Sequence, residues 1–422
     1  DNPTFRGMRQ SLMKTFDEIY ILDLHGSSPN RETTPDGDKD ENVFDIRQGV
    51  AISIFVKRKS NASKKIFHID KFGTRFEKYL WLTKNNLSNI DYRKINPASP
   101  WYFLFPRDIK DIREYLDWKS IVEIFPEYNV GLVTARDKFV TDFDLTELKR
   151  RIFQFCDLDI KNEIIAEAYN LHDTSTFNIK DSRQNLSKEK DLDQKFTLIS
   201  YRPFDVRNIF YSKWIIERPA ISFMKHILKG NIGLVFTRPS KPKYQFSAFV
   251  STNLIDQCLV GNKSAGAGIS YIAPLFLYPD TKNLDLFSHN SSDKKPNLSP
   301  EVKEKLNSEF NNTLAPEDIF YYIYAIFYSN IYRETYADFL SIDFARVPFV
   351  KNYQIFMKLK SLGEKLVNIH LMKSSELYKP IVKFQGMGEG MTIELRRYNE
   401  KLQRLYINKE YYFDHVSPEV WE

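Results

Sequence analysis

Two short apolar runs near the start of the chain constrain it more than any other feature. Ile19-Tyr20-Ile21-Leu22-Asp23-Leu24 and the run from Gly49 to Lys57 (GVAISIFVK) are rich in β-branched and aromatic residues. Both read as buried strands. Residues 25–43 between them are polar and rich in Gly, Pro, Asp and Ser, as a loop is. Ahead of them, Met8, Leu12 and Phe16 fall at helical spacing over residues 4–16. Buried strands need neighbours on both sides, so a helix, a strand, a long loop and a strand cannot complete a sheet. The segment is expected to be the edge of a sheet begun upstream. A start at DNPTFRGMRQ, without an initiator Met, reads the same way, as a piece of something larger.

The 422 residues exceed one ordinary core, and two or three domains are expected. Aromatic residues make up 15%, with 33 Phe and 24 Tyr, and most of these rings must be core. Strand patterns are predicted at Lys65–Asp70, Val130–Thr134, Lys195–Tyr201, Ile232–Thr237 and Tyr271–Tyr278. Helices are predicted at Asp108–Trp118, Leu145–Phe155, Glu163–Leu171 and Pro219–Lys229. Residues 279–313 read as a linker holding a short helix over Val302–Phe310. A helical tail then begins at Pro316 and continues through Tyr332–Leu340 and Tyr353–Lys373. Cys156 and Cys258 are too few for a disulfide framework or a multi-cysteine zinc site, which suits a reducing, cytoplasmic home. No apolar run approaches the roughly 18 residues of a membrane span, so no membrane partner is expected.

Charge is unevenly spread. From Arg202 to Lys243 nine cations meet only Asp205 and Glu217, a surplus of seven in a chain whose net charge is +6. Phosphate contacts supply most non-specific affinity for DNA, so such a concentration suits a DNA-binding face. Candidate contacts within it are Arg202 and Arg207, which flank Pro203-Phe204-Asp205, and Arg238, Ser240, Lys241 and Lys243 in a loop that follows a strand. Arg136 and Lys138 occupy a similar strand-end loop, and Asn262 and Lys263 a glycine-bearing one. Any one of these is also readable as a solvated cation, and Arg202 or Arg207 as a partner of Asp205.

Other constellations point away from catalysis. The seven histidines include no i, i+4 pair and no HExxH, so neither zinc hydrolysis nor another metal site is expected. Asp36, Asp38, Asp40 and Glu41 lack the pattern of a calcium loop and read as a solvated acidic loop. There is no GxxxxGK[ST] for ATP. Gly386-Met387-Gly388-Glu389-Gly390 reads as a flexible turn, and Tyr321–Tyr324 as bundle core rather than a stacking platform.

The runs NPTFRGMRQSL, IYILDLHG and DENVFDIRQGVAISIF resemble the C-terminal third of N6-adenine DNA methyltransferases. SPWYFLFP, GLVTARD, SYRPFDVRNIFY, PLFLYP, PEDIFYYIYAIFYSNIYRETYADFL and DFARVPF follow in the order found in the single-polypeptide Type ISP restriction-modification enzymes. The resemblance implies an α/β front fragment at 1–60, the end of a Rossmann-like methyltransferase sheet. A connector (61–125), an α+β target-recognition domain (126–310) and a helical C-terminal subdomain (311–422) would follow. It implies recognition of double-stranded DNA, with an adenine positioned for N6 methylation, and upstream methyltransferase, helicase-like and nuclease parts in the same polypeptide. Phe44 matches the family position whose ring packs on the flipped adenine; the other reading makes it a core anchor for the strand. The Gly-rich turn for S-adenosylmethionine and the Asn-Pro-Pro-Tyr-type motif are both missing, since Asn2-Pro3-Thr4-Phe5 and Asn96-Pro97-Ala98 lack the second proline. No catalytic residue is therefore assigned. The chain is expected to bind no cofactor and to be inactive alone, with S-adenosylmethionine held by the intact enzyme.

Rival readings are a non-catalytic module whose basic stretch meets RNA or an acidic protein, and a complete enzyme using Asp/Glu pairs.

Overall fold

The computed structural model describes residues 5–28, 32–58, 63–106, 112–238, 246–261, 268–279, 294–388 and 392–421. At the front, α1 (Arg6–Thr15) precedes β1 (Glu18–Asp23), β2 (Ala51–Val56), β3 (Lys65–Asp70), α2 (Arg75–Lys84) and β4 (Arg93–Ile95). The strands form one sheet in the order β2-β1-β3-β4, with β1 antiparallel to β2 and parallel to β3. Leu12, Met13 and Phe16 of the α1 side pack on Ile19, Ile21 and Ile66, while Trp81 and Leu82 of α2 pack on Leu22 and Ile69. Strand alternation thus gives each helix its own face of the sheet.

Two expectations change here. Gly49–Lys57 reads as a buried strand, yet β2 is exposed along its length, Ile52, Ile54 and Phe55 included. The physical reason is its place at the sheet edge, paired among the described residues with β1 alone. The acidic loop is not simply solvated either. Asp40 is buried and accepts from the fully buried Lys78 at 2.8 Å, and Lys78 also donates to Leu24 O and Glu41 O at 2.7 and 2.6 Å. The aliphatic stem of Lys78 crosses the core while its ammonium ties the loop to the sheet.

Next come α3 (Ile112–Asp117), β5 (Lys119–Ser120), α4 (Ile121–Ile124), β6 (Asn129–Val130), α5 (Asp137–Val140) and β7 (Thr141–Asp142). Helices α6 (Leu145–Cys156), α7 (Asn162–Tyr169) and α8 (Ile179–Ser187) lead to the hairpin β8 (Phe196–Arg202) and β9 (Asp205–Phe210). The chain continues with α9 (Ile221–Leu228), β10 (Gly233–Thr237), β11 (Ala248–Ser251), β12 (Leu254–Ile255) and β13 (Ser270–Pro274). Two sheets result, ordered β11-β10-β13-β6 and β12-β8-β9-β7.

A short ribbon of β14 (Phe276–Leu277) and β15 (Lys295–Pro296) precedes α10 (Pro300–Phe310), α11 (Pro316–Phe327), α12 (Asn330–Thr335) and α13 (Ala337–Leu340). After β16 (Arg346–Val347) comes α14 (Tyr353–His370), and then β17 (Lys383–Gln385), β18 (Arg397–Asn399), β19 (Arg404–Tyr406) and β20 (Tyr412–Asp414).

The sheet around β10 is buried on both faces. Leu234, Phe236, Ala248, Val250 and Ala273 enter one core with Ile319, Phe320, Ile323 and Phe327 of α11 and Phe356 of α14. Val235, Phe249 and Ile272 enter a second core with Leu148, Ile152 and Phe155 of α6 and Met224 of α9. This double burial is why β10 shows no polar alternation in sequence.

The expected boundaries move accordingly. The front sheet crosses residue 60, because β3 and β4 belong to it, and α4 of the expected connector joins the main core. That core also crosses residue 310, since α11 and α14 cover the β10 sheet. The last segment is not all helical, for β17–β20 form a sheet in the order β17-β20-β19-β18. Gly386 is less a flexible turn than a packing site: a Cβ there would lie 2.4 Å from the Tyr411 ring, and Tyr411 Oη donates to Gly388 O at 2.6 Å. Tyr322 and Tyr324 are fully buried, as the bundle-core reading requires.

Gly363 fixes how α11 and α14 meet. A Cβ at that position would fall 1.8 Å from Tyr321 O, so only glycine lets the two backbones touch. Gly363→Ala is expected to cost about 1–3 kcal/mol by overpacking. A urea midpoint equal to wild type would show that the helices separate without cost.

Candidate nucleic-acid interface

The β8–β9 hairpin turns through Pro203-Phe204, with Arg202 paired to Asp205 across it. Proline suits the first turn position, but Phe204 takes φ +62°, a conformation normally left to Gly or Asn. The residue is 58% exposed, and its ring meets Phe249 and His370 edge-on at 5.3 and 6.0 Å. A strained backbone that presents an aromatic ring at a loop tip is a mark of functional sites.

Arginines gather behind this tip. Arg207 makes a bidentate pair with Asp205 at 2.9 and 2.7 Å, and Arg202 contacts Asp256 Oδ1 at 2.9 Å. Their guanidinium groups lie 4.0 and 4.2 Å from the Tyr201 ring centre. Tyr201 in turn donates its hydroxyl to Asp137 at 2.8 Å, which joins the 134–138 loop to the hairpin. The hydrogen bonds it donates to Asp205 hold the Arg207 guanidinium above its ordinary pKa.

Arg136 is placed differently. Its side chain is 10% exposed, its Nε donates to Ile215 O at 2.8 Å, and Nη2 reaches Glu217 at 3.3 Å. The guanidinium sits 3.9 Å from the Phe177 ring centre, and burial lowers its pKa from the ordinary value. A base-reading role conflicts with these internal contacts, so Arg136 reads as a structural residue. Lys138, two positions on, is exposed.

Arg238 leaves the end of β10 and pairs with Asp343 at 2.9 Å over the Phe344 ring. Ser240, Lys241, Lys243, Asn262 and Lys263 lie outside the described residues, but the stems of their loops are defined. Thr237 N–H donates to Ser247 O at 3.0 Å and Thr237 pairs with Ser270, so both loops leave the same end of the sheet. Gly261 and Gly268 close the second stem: a Cβ on Gly261 would fall 1.7 Å from Gly268 O. Between these stems and the hairpin lies a cleft of about 440 Å³ lined by Arg202, Phe204, Phe249, Tyr328, Arg333 and His370.

Among the described residues the basic stretch is therefore not one surface. Lys213 lies against Trp214 beyond the far end of β9, and Lys229 lies against Tyr278 ahead of β10. Arg202 and Arg207 flank the hairpin turn and Arg238 follows the end of β10, each with a carboxylate partner. Linear clustering overstated the positive field because the length of a strand separates Arg202 from Lys213 and Lys229 from Arg238. Sequence reasoning also missed Phe204, Arg333 and His370. Only Phe204 left a signal, a Pro followed by a non-glycine residue in a two-residue turn.

Phe44 stands apart, in the front module. Val43 is buried, whereas Phe44 is 55% exposed, so the ring is not a core anchor. Its N–H donates to Asn42 Oδ1 at 2.8 Å and its carbonyl accepts from Arg75 at 3.0 Å, which fixes the backbone beneath an open ring.

Residues 123–422 match the family model described as the Type ISP C-terminal specificity domain. The chain belongs to the Type ISP family. Three solved structures share the fold of this Type ISP chain. The ATP-dependent Type ISP restriction-modification enzyme LlaBIII bound to DNA aligns with TM-score 0.67 and 22% identity over 99% of this chain and 28% of that one. The DrdV–DNA complex gives 0.63 and 21% over 98% and 42%. A nuclease-deletion mutant of the Type ISP enzyme LlaGI with a DNA substrate mimic gives 0.62 and 21% over 99% and 38%. The chain thus spans less than half of each of these proteins. No curated protein matches in sequence. Among the described residues no helix is long and apolar enough to cross a membrane.

If Arg136 is structural, Arg136→Ala should lower stability by about 1–3 kcal/mol, because Ile215 O and Glu217 lose a buried partner. Arg207→Ala, which removes a more exposed pair, should cost less unfolding free energy than Arg136→Ala. The reverse ranking in urea titrations would overturn the distinction.

Proposed function

We propose that this chain reads a short sequence in duplex DNA for a Type ISP restriction-modification enzyme and so positions an adenine for N6 methylation. The match of residues 123–422 to the specificity domain carries the reading. It is supported by the relatives of the same fold, whose structures are described as bound to DNA or a DNA substrate mimic.

The end of the sheets that bears Phe204, Arg202, Arg207 and Arg238 would face the duplex, together with the loops that carry Ser240, Lys241, Lys243, Asn262 and Lys263. Arg207 and Arg238 are partly exposed in their ion pairs, so phosphates can replace Asp205 and Asp343 as their partners at little net cost. Such contacts set register on the duplex, while base-edge contacts from the loops set the sequence. The exposed Phe204 ring has the shape of a wedge or stacking surface against a base step.

The front sheet would be the end of a Rossmann-like methyltransferase sheet, its β2 edge completed by an upstream strand, with Phe44 receiving the flipped adenine. S-adenosylmethionine would belong to those upstream parts. The glycine-rich segment of this chain does not fit it, since Tyr411 occupies the space beside Gly386. No step of methyl transfer is assigned to these residues. Cleavage would fall to upstream nuclease and helicase-like parts, and the polypeptide would act in the cytoplasm.

Selection of random duplexes by the chain should enrich one short sequence. Arg207→Ala and Arg238→Ala should weaken binding to all duplexes and each reduce the salt slope by about 1. Phe204→Ala should lower affinity and relax preference at one base step. Equal binding to RNA, or no enriched sequence, would replace this reading with that of a general interaction module.

A further inference from the structure

Strands β1 and β3 run parallel and end side by side, with Asp23 opposite Asp70. Carboxyl ends of parallel strands are where open α/β sheets place ligands. His68 lies two residues before Asp70 and so shares its face of the strand. Its imidazole is 2% exposed, and Nδ1 has no hydrogen-bond partner. A buried ring nitrogen left in this state costs free energy.

That nitrogen faces the Asp70 carboxylate. Nδ1 lies 3.6 Å from Asp70 Oδ2, too far for a hydrogen bond. The separation is close to the roughly 3.4 Å edge between two ligands of a four-coordinate ion with bonds of about 2.1 Å. One ligand atom each from Asp23, His68 and Asp70 lie within 4.8 Å of one another.

His25 braces the group from outside. Its Nε2 is 2.9 Å from Asp70 Oδ1, its backbone N–H donates to Asp23 Oδ1 at 2.9 Å, and its ring stacks on Phe72 at 3.9 Å. Hydrogen bonds of this kind orient carboxylates that hold metals.

We propose that Asp23, His68 and Asp70 form a site for one divalent transition-metal ion. One imidazole with two carboxylates suits zinc or manganese better than calcium or magnesium, which prefer all-oxygen sets. The ion would clamp the ends of β1 and β3. Through His25 it would also steady the loop below Phe44, because Asn42 Nδ2 donates to Gly26 O at 3.1 Å and Asn42 Oδ1 receives the Phe44 N–H. The site is independent of DNA reading by the specificity domain.

The test is equilibrium dialysis of the full, chelator-treated chain against zinc chloride or manganese chloride, with thermal unfolding in parallel. Wild type should retain one equivalent of at least one ion and unfold at a higher temperature with it. Asp23→Asn and Asp70→Asn should each weaken binding at least tenfold and abolish the thermal shift. These carboxylates are partly exposed, so the variants keep the fold where a substitution at buried His68 risks it. Neither ion retained by wild type, or equal retention by the Asp23→Asn/Asp70→Asn double variant, overturns the proposal.

Discussion

The structure depends on a sheet with two dry faces. Strands β10, β11 and β13 send alternate side chains into separate cores, one shared with α11 and α14 and the other with α6 and α9. Each core uses the sheet as its wall, so the two halves share one element. Burial of this kind, at roughly 25 cal/mol per Å² of apolar surface, opposes local opening of these strands. Loops that leave such strands inherit fixed stems. The stems at Thr237–Ser247 and Gly261–Gly268, and the Pro203-Phe204 turn, all have that support.

Rigid stems change what the arginines can do. A free guanidinium loses rotamer entropy when it meets a phosphate, but Arg207 is already held between Asp205 and the rings of Tyr201 and Phe143. Arg207 and Asp205 keep about a quarter of their side chains exposed, so a phosphate can take over from the carboxylate while the ring contacts keep the geometry. The carboxylates also weaken attraction to any polyanion that does not fit. Arg136 lies at the other limit. With 10% of its side chain exposed, it anchors Glu217 and the Ile215 carbonyl instead.

Much of the fold was legible because its signals are local. Apolar runs marked β1, β8, β10 and β13, and helical spacing marked α6, α10, α11 and α14. What sequence could not show was partnership. GVAISIFVK has the composition of a buried strand, but burial depends on which strand lies beside it. The C-terminal sheet was missed because β17–β20 are each three residues long, too short for any period to show. The site divides in the same way. Loop arginines were named from charge and turn context, yet their carboxylate partners stand up to 105 residues away, as Asp343 does from Arg238. The Asp23, His68 and Asp70 group has no motif spacing because two strands and their register assemble it.

The front module follows the same logic on a smaller scale. A fully buried Lys78 gathers Asp40, Leu24 O and Glu41 O, and so draws a long polar loop down onto the sheet. Removing the lysine would strand a buried carboxylate, which is why the pair fixes the loop's path even where it adds little net stability. Val43 then turns inward and Phe44 outward. The exposed ring and the exposed flank of β2 therefore have one origin: the loop and the strand are placed by internal contacts that leave apolar surface uncovered. Such surface is unfavourable in a module that ends there and useful in one that another segment completes.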